Sequence, residues 1–511
     1  MAFWKSVGSD TETKLDYNTT ELLVNKIYGD RYQILKDAAL SRIDTTNDYY
    51  DYFGLDGQYW QIPHAMGYKP TVMPVNLARW FIKKRASWLF GVAPDVECPP
   101  ITVDSSDEME TVGYEPSEGQ KMADSQASER ELFIYDTWTK NKFEEKLFKA
   151  AQDYYIGGTV ALKLRYLPGN RGIRLNFSPC QEVFPVPNPD DPDIYDEVTF
   201  ASFYDNNEQI WMQKWEMIGE KCYLSEGIYD LKLEPLSVKY NREYTRLNFM
   251  PVYIFLHAGL SGDIFGTSYL KDLIPLFDQF SHSMSDAADS LKFNLFAVTV
   301  LVNAPPKAEQ NLKISPGEIW NISGDDGVDV KKLESSFQYA AALDDFLTRL
   351  ENMIHLIGDV PDITPDRIKG FGLVSGVALK LLFANLIDAA GQDQRIWKPR
   401  MVEANEGILR MADTFKIFSP NDNYSNRIIF HLPLPENEVE KVQIEAQKLG
   451  ASLQSIKGAL QELGDKYPER TIARILTEKE RFLKYSSPST NFDPNQQENE
   501  NRGVSDEDDE E

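Results

Sequence analysis

The sequence lacks the signals of a secreted, membrane or disulfide-bonded protein. Its three cysteines, Cys98, Cys180 and Cys222, lie far apart and form no CxxC pair. This spacing argues against a disulfide framework and a zinc site, and it indicates a reducing compartment. No apolar h-region follows Lys5, so no signal peptide is expected. The longest apolar run, residues 295–302, is far shorter than the ~20 residues that span a bilayer, and a soluble cytoplasmic protein without membrane contact is predicted.

Basic residues are scarce relative to acidic ones. The 511-residue chain has 53 Lys and Arg against 80 Asp and Glu, a formal net charge of −27. Non-specific affinity for nucleic acid comes from Lys and Arg that displace counterions from phosphates. Any DNA that this protein handles must therefore be held loosely. A hydrophobic content of 42% is ample for a folded chain, and the length has room for about two to four domains.

Motifs for nucleotide, cofactor and metal chemistry are also missing. No GxxxxGK[ST] loop is present, which excludes a packaging ATPase of the P-loop type. GFGLVSG at residues 370–376 is similar to a dinucleotide fingerprint, but Pro361 and Pro365 stand where that motif needs a strand, so a flexible loop before a helix is the better interpretation. The carboxylate clusters at 188–193 and 324–329 lack the spacing of a calcium loop. No cofactor, no metal and no catalytic residue are predicted.

The N-terminal half mixes helix and strand periods. Helical spacing predicts helices over residues 20–40, 75–91 and 132–155, with an aromatic, turn-rich segment at 49–68 and a solvated acidic loop at 104–120. The period then changes to two, which predicts a hairpin followed by short strands. The strands are predicted at 159–166, 173–177, 183–186, 197–204, 209–217 and 221–233.

From Gly266 onward the chain is strongly helical. Apolar residues at spacings of three and four predict one helix over residues 272–295 and another over 336–357, with a β-rich insertion between them. His282 and His355 fall on these helices. None of the five histidines shows metal-ligand spacing, so we interpret both as packing or surface residues.

The segment after the second helix cannot continue it. Two prolines, Gly370 and Gly372 lie within residues 359–374, which predicts a loop that is functional rather than connective. Ser375 is expected to begin a long helix that runs to Phe418, and Pro399 inside it should produce a kink. A strand is predicted at 426–434, helical units at 436–449, 452–463 and 469–483, and a disordered acidic tail from 486, which is either a solubilising end or a partner-binding segment.

Three local sequences stand in a characteristic order around the helix–β insertion–helix core. They are LFGVAPDV at residues 89–96, YYIGGTVALKLRY at 154–166 and SGVALKLLFANL at 375–386. In this order they resemble the end of the wing helix, the helix-to-hairpin transition and the start of the long helix in portal proteins of long-tailed, siphovirus-type bacteriophages. The resemblance extends over residues 76–483, and the acidic insert at 104–120 and the long N-terminal aromatic segment depart from it.

The resemblance implies an α+β, mainly helical portal fold that assembles as a ring. The implied parts are a wing (1–265, to which the strand 426–434 returns), a stem helix (266–296), a β-containing clip (297–335), a second stem helix (336–358), a tunnel loop (359–374), a long kinked helix (375–425), a helical crown (435–485) and the disordered tail (486–511). Arg367 and Lys369 would touch DNA from the tunnel loop, with Gly370 and Gly372 as hinges. The alternative is that the two cations pair with aspartates of the same loop.

The resemblance also implies a function that is not enzymatic. About twelve copies would form a closed ring at one capsid vertex, through which double-stranded DNA is packaged and ejected. The implied partners are the terminase large subunit, a head–tail adaptor, and the major capsid and scaffolding proteins, and the ring would nucleate capsid assembly. The protein would be a late virion component that is present in the host bacterial cytoplasm during assembly.

The acidic composition is consistent with a conduit. A stem helix of about 24 residues rises about 36 Å, a length along which duplex DNA presents about 20 phosphate charges. A lysine-lined wall would hold those phosphates, whereas an acidic ring lets the DNA slide.

Two other functions fit parts of the pattern. Another ring-forming head–tail connector would share the helices but lack the large wing and crown. A polymer hydrolase that acts through a carboxylate pair can be built from many chains rich in Asp and Glu. A particle mass near a dozen chains would argue against the hydrolase.

Overall fold

A computed structural model describes most of the chain, in two compact units, Met1–Pro433 and Leu434–Glu511. The described residues are 17–29, 32–54, 70–104, 116–170, 172–204, 208–295, 298–302, 329–333, 340–362, 380–433, 438–465 and 468–486. Among them, no helix is both long enough and apolar enough to cross a membrane.

The first unit combines helices with antiparallel sheets, as the predicted α+β class requires. Its helices are α1 (Tyr17–Tyr28), α2 (Gln33–Gly54), α3 (Leu77–Phe90), α4 (Glu118–Lys140), α5 (Phe143–Gly157), α6 (Ile274–Leu295), α7 (Ala340–Ile357) and α8 (Ala384–Thr414). Its strands are β1 (Asp95–Glu97), β2 (Thr159–Leu167), β3 (Gly172–Pro179), β4 (Val183–Pro187), β5 (Tyr195–Tyr204), β6 (Gln209–Ile218), β7 (Lys221–Asp230), β8 (Pro235–Tyr244), β9 (Val252–Leu256), β10 (Val298–Val302), β11 (Asp329–Leu333) and β12 (Arg427–Ile429).

Two sheets carry most of the strands. One has the order β3-β2-β9, and the other is a five-stranded meander, β4-β5-β6-β7-β8. The predicted hairpin and strands agree with β2 to β7 within a few residues. Residues 235–244 were not predicted as a strand, because β8 is almost entirely exposed and its side chains show no alternation of burial.

The predicted helix over residues 20–40 is divided in two. Gly29 has a φ of +59°, a left-handed conformation that glycine adopts without steric cost and that ends α1. α2 then continues to Gly54, so the first part of the segment predicted to be turn-rich is helical. Tyr50 is buried on α2, and its hydroxyl donates a hydrogen bond to Asp153 at 2.8 Å.

The acidic loop predicted at 104–120 ends earlier than expected, because α4 begins inside it. The Oγ atom of Ser117 caps this helix by accepting the N–H of Gln120 at 3.1 Å. The spacing Ser-x-x-Gln is that of a capping box. Gln120 is buried, and its Oε1 accepts the N–H of Val103 at 2.8 Å. Residues 105–115 lie outside the described residues.

The helix predicted over 132–155 is interrupted between α4 and α5. Lys142 has a φ of 51° there. The neighbouring Asn141 is buried, and its side chain donates to the carbonyl of Ile173 at 2.8 Å and accepts the N–H of Leu175 at 3.0 Å. The interruption therefore supplies hydrogen bonds to β3, a need that helical periodicity cannot reveal.

α8 packs across the three-stranded sheet, and Trp397 lies at the centre of the contact. This side chain is fully buried. Its ring stacks on Phe255 with 4.1 Å between centroids, and it meets Phe90 and Tyr154 edge-on at 4.8 and 5.4 Å. The aromatic cluster joins α3, α5, α8 and β9 into one core.

The long helix predicted to reach Phe418 ends earlier, at Thr414. Lys416 is left-handed with a φ of 53°, its N–H bonds the carbonyl of Asp413 at 3.0 Å, and the N–H of Ile417 bonds that of Ala412 at 2.8 Å. These two bonds form a Schellman motif that closes the helix. The apolar spacing continued past this point because Phe418 still packs inward, stacked on Phe133.

Pro399 lies inside α8, as predicted. Proline has no N–H for the carbonyl four residues earlier, which is the reason to expect a kink. The kink itself stays a prediction. Ser375 lies outside the described residues.

Two glycines inside α8 provide a matched test of the packing. A methyl group added at Gly407 would overlap the Tyr253 hydroxyl and lie 2.9 Å from Leu164 Cδ1, whereas one at Gly391 would meet nothing within 4 Å. Replacing Gly391 by Ala should stabilise the helix by about 1 kcal/mol. Replacing Gly407 by Ala should instead destabilise the protein by about 1–3 kcal/mol through overpacking. Urea denaturation measures both, and stabilisation by both substitutions would contradict the close approach of α8 to the sheet.

Two short antiparallel pairs connect distant parts of the chain. β12 pairs with β1 in the register Ile429 to Asp95, so the strand predicted at 426–434 is observed over three residues. β10 pairs with β11, and Val302 lies opposite Asp329. Most of the insertion between these strands, residues 303–328, lies outside the described residues.

The described residues of the second unit are mainly helical. The unit contains α9 (Glu438–Gly450), α10 (Ile456–Glu462) and α11 (Pro468–Ser486), in agreement with the three predicted helical units. Ser455 caps α10 by accepting the N–H of Gly458 at 3.1 Å. The predicted disordered tail lies outside the described residues apart from Ser486, which ends α11.

Candidate functional site

The residues proposed to touch DNA lie beyond what the structure describes. Arg367, Lys369, Gly370 and Gly372 fall within residues 363–379, outside the described residues. The structure does describe the chain on both sides of that segment. The candidate site is therefore built from the end of α7, the following residues to Asp362, and the elements that hold them.

The C-terminus of α7 is closed by a Schellman motif. The N–H of Val360 bonds the carbonyl of His355 at 3.3 Å, and the N–H of Asp359 bonds that of Leu356 at 3.4 Å. The left-handed position, φ 52°, is occupied by Asp359 rather than by a glycine. Val360 is buried directly after it. The turn thus fixes where the helix stops and in which direction the chain leaves it.

Gly358 stands in this turn because of packing. A methyl group at Gly358 would overlap the ring of Phe81 on α3, with only 2.8 Å to its Cδ1 atom. The hydroxyl of Tyr269, in the segment that precedes α6, donates a hydrogen bond to the Gly358 carbonyl. The end of α7 is therefore held by α3 and by the start of the α6 segment together.

A buried ion pair lies behind this turn. Arg85 of α3 donates from Nη2 to Oδ2 of Asp393 on α8 at 2.9 Å, and both side chains are almost inaccessible to solvent. Tyr154 and Tyr155 of α5 donate to the two oxygens of the same carboxylate at 3.2 and 2.7 Å. Burial, reinforced by Asp393, raises the pKa of both tyrosines well above the ordinary value, so their hydroxyls stay protonated and remain donors.

The ion pair extends toward the end of α7. The Arg85 guanidinium carbon lies 5.4 Å from the centroid of the Tyr155 ring and 5.3 Å from that of Tyr269. Burial raises the pKa of Asp359, and the charge of Arg85 opposes that increase. A single network thus connects α3, α5 and α8 with the turn from which residues 359–374 depart.

Sequence patterns did not identify this network. Arg85 and Asp393 are 308 residues apart, and neither belongs to a motif. The available signal was the position of Arg85 four residues after Phe81 and on the same apolar helix face, where Ile82 and Leu89 are also buried. A charge on a buried face requires a partner, but the sequence does not say which one.

α6 is held to residues 70–76 by a row of regularly spaced hydrogen bonds. Three alternate backbone N–H groups of residues 70–76 donate to side chains spaced four apart on α6. The pairs are Thr71 with Asp289 (2.9 Å), Met73 with Ser285 (3.0 Å) and Val75 with Ser281 (3.4 Å). Two extended residues cover about 6.6 Å and four helical residues about 6.0 Å, so the two periods match. Hydrogen bonds from Thr71 hold the pKa of Asp289 below its usual value.

These features define a class of protein. A pair of packed helices, α6 and α7, is joined through a paired β10–β11 insertion and anchored in a mixed α/β unit by α3. A helical unit follows along the chain.

The chain matches the model of the family described as phage portal protein, SPP1 Gp6-like, over residues 27–484, and it therefore belongs to that family of tailed-phage portal proteins. No curated protein matches it. The membership confirms the resemblance that the order of elements indicated, and it places the chain among structural proteins of the capsid vertex.

Proposed function

We propose that this protein forms the ring-shaped portal of a tailed phage, a closed assembly of about twelve copies through which double-stranded DNA enters and leaves the capsid. Family membership supports the portal, and the exposed face of α7 supports the ring. In this proposal the ring docks the terminase large subunit and later the head–tail adaptor, contacts the major capsid and scaffolding proteins, and nucleates assembly.

The observation that supports ring assembly is a set of apolar side chains on α7 that the rest of the chain leaves exposed. Leu350 and Ile354 are buried on one side of the helix. Beside them on the same apolar stripe, large apolar side chains recur at helical spacing with much of their surface exposed. They are Phe346 (44%), Met353 (49%), Leu356 (67%) and Ile357 (44%). An apolar stripe that its own chain covers only in part leaves a surface for a second partner, and in a closed ring that partner is a neighbouring copy.

The charges of α6 and α7 suit passage rather than retention of DNA. On α7 the described charged residues are Asp344, Asp345, Arg349 and Glu351, and Arg349 is paired with Asp345 at 2.8 Å. α6 carries three aspartates, Asp278, Asp286 and Asp289, and one lysine, Lys292. A channel lined by such helices offers few cations to phosphates, so the affinity for DNA is low and sliding is easy.

In this proposal the parts of the ring are those that the family resemblance implies. The wing is residues 1–265 with the strand 426–434, the stem is 266–296 and 336–358, the clip is 297–335, the tunnel loop is 359–374, the long kinked helix is 375–425 and the crown is 435–485. The loop leaves α7 at the anchored turn described above, and Arg367 and Lys369 within it make transient phosphate contacts.

The experiment is a measurement of particle mass with and without the apolar face. We expect the wild-type chain to form particles of about a dozen chain masses by native mass spectrometry, with an axial hole in end-on electron micrographs. The double variant Met353→Glu, Leu356→Glu should shift the mass to one or a few chains, because two carboxylates per interface cannot be desolvated without partners.

A matched control separates this face from apolar exposure in general. Leu260 is 79% exposed on a loop between β9 and α6, and Leu260→Glu should leave the particle mass unchanged. A wild-type chain that stays monomeric, or a ring that survives the double substitution, would refute the proposed interface.

A further inference from the structure

Three side chains able to ligate a metal ion come together at the C-terminal end of α7. Glu351 and His355 lie one turn apart on the helix, and Asp362 follows the Schellman turn. Their ligand atoms all lie within 4.8 Å of one another. The group is separate from the Arg85–Asp393 network, and neither the portal family nor the proposed function assigns it a role.

The imidazole of His355 is already oriented for coordination. Its Nδ1 atom lies 2.8 Å from the carbonyl oxygen of Val360. A carbonyl only accepts, so Nδ1 carries the hydrogen and Nε2 keeps the lone pair of the neutral ring. The ring also meets Trp80 edge-on at 5.8 Å and Phe81 at 5.4 Å between centroids. Metal-binding histidines are held in this way, by a carbonyl on one nitrogen that leaves the other for the ion.

We propose that Glu351, His355 and Asp362 bind one divalent transition-metal ion, Zn²⁺ or Mn²⁺, per chain. One imidazole and two carboxylates suit these ions, whereas Mg²⁺ and Ca²⁺ prefer oxygen ligands alone. The two carboxylates neutralise the ion, and the negative end of the α7 dipole adds to the attraction.

Small side-chain movements bring the three ligand atoms to the distances that coordination of one ion requires. Bonds of about 2.0–2.2 Å to the ion require ligand atoms about 3 Å apart. Glu351 is exposed, so rotation about its side-chain bonds brings its carboxylate in without disturbing the core. His355 stays where its hydrogen bond and the two aromatic rings hold it. Water fills the remaining coordination positions.

The ion would fasten the last turn of α7 to the residues that follow it. Asp362 stands three residues beyond the left-handed Asp359, at the beginning of the proposed tunnel loop. The sequence predicted no metal site because Glu-x₃-His followed by Asp seven residues later matches no standard ligand spacing. Only the reversal of the chain at Gly358 and Asp359 brings Asp362 back to the helix.

The test is a metal titration of the full-length chain after removal of bound metal with EDTA and then of the chelator. Isothermal titration with Zn²⁺ and with Mn²⁺ should give one site per chain, with a dissociation constant of about 10 µM or tighter for Zn²⁺. Mn²⁺ should also quench the fluorescence of Trp80, which adjoins His355. Mg²⁺ at millimolar concentration should not displace Zn²⁺.

Substitutions test which residues bind the ion. His355→Ala and Glu351→Gln should each weaken Zn²⁺ binding at least about tenfold. The matched controls, His282→Ala on α6 and Asp345→Asn on α7, should retain it. Because Glu351 is exposed, Glu351→Gln keeps the fold, and circular dichroism verifies this.

Three results would overturn the site. The first is no Zn²⁺ binding at about 1 mM, a concentration about a hundred times the expected dissociation constant. The others are Zn²⁺ binding that is unchanged in both Glu351→Gln and His355→Ala, and Zn²⁺ binding that is lost equally in the control variants. None of them depends on whether the chain forms a ring, so failure of the metal site and failure of the portal ring are distinguishable.

Discussion

Asp393→Ala is expected to lower the free energy of unfolding by about 3–5 kcal/mol, because it leaves the Arg85 guanidinium buried without its counter-ion. The hydroxyls of Tyr154 and Tyr155 lose their acceptor in the same step. Guanidinium chloride denaturation at pH 7, followed by tryptophan fluorescence, measures the change. The loss should also increase proteolysis near the end of α7, because the network supports that turn.

The control for this variant is an ion pair of the same type on the surface. Asp136 and Lys140 form an exposed i,i+4 pair on α4, and Asp136→Ala should change the stability by less than about 0.5 kcal/mol. The double variant Arg85→Met, Asp393→Leu should recover much of the loss, since two apolar side chains bury without a charge. A cost below about 1 kcal/mol for Asp393→Ala would show that water reaches the pair.

Replacing residues 304–327 by a two-residue Asn-Gly turn is expected to abolish DNA packaging while rings still form. Val302 lies directly opposite Asp329 in the β10–β11 ladder, so a short turn can join the two strands without disturbing their register. The insertion between them is the proposed docking surface for the packaging motor. Packaged DNA protected from nuclease should fall to background, and native mass should show rings of unchanged size.

A second variant distinguishes the sequence of the insertion from its bulk. A chain in which residues 304–327 are shuffled keeps the length and charge of the segment but not its recognition surface. It should also form rings that do not package. Normal packaging by either variant would show that the clip is not the docking surface for the motor. Failure of both variants to form rings would show that the segment is required for assembly instead.

Agreement between sequence and structure is closest where periodicity alone decides the element. α6 and α7 lie within the ranges that their apolar spacing predicted, and β5, β6 and β7 lie where alternation predicted strands. The two helices and the strands β6 and β7 bury mainly one face, which imposes its period on the sequence, whereas the middle of β5 is buried on both faces. The order of elements carried the family assignment, since order survives when individual residues differ.

Boundaries that depend on distant partners were predicted less well. The helix is interrupted at Asn141, whose side chain donates a hydrogen bond to β3. α8 ends at Thr414, four residues before its predicted end at Phe418, and the left-handed Lys416 closes it. The left-handed residues Lys142, Asp359 and Lys416 are not glycines, so composition gave no warning of them. The capping box at Ser117 was a local signal and could have been recognised.

The sequence by itself determined the α+β class, the helix–insertion–helix core and the portal family, because these rest on period, order and composition. Only the tertiary structure decided which residues meet: Arg85 with Asp393 across 308 residues, alternate N–H groups of residues 70–76 with every fourth residue of α6, and Asp362 with His355 across a turn. Such contacts depend on the direction in which the chain leaves each helix or strand. A few backbone angles in the turns set that direction, and the pattern of apolar and polar residues does not determine those angles.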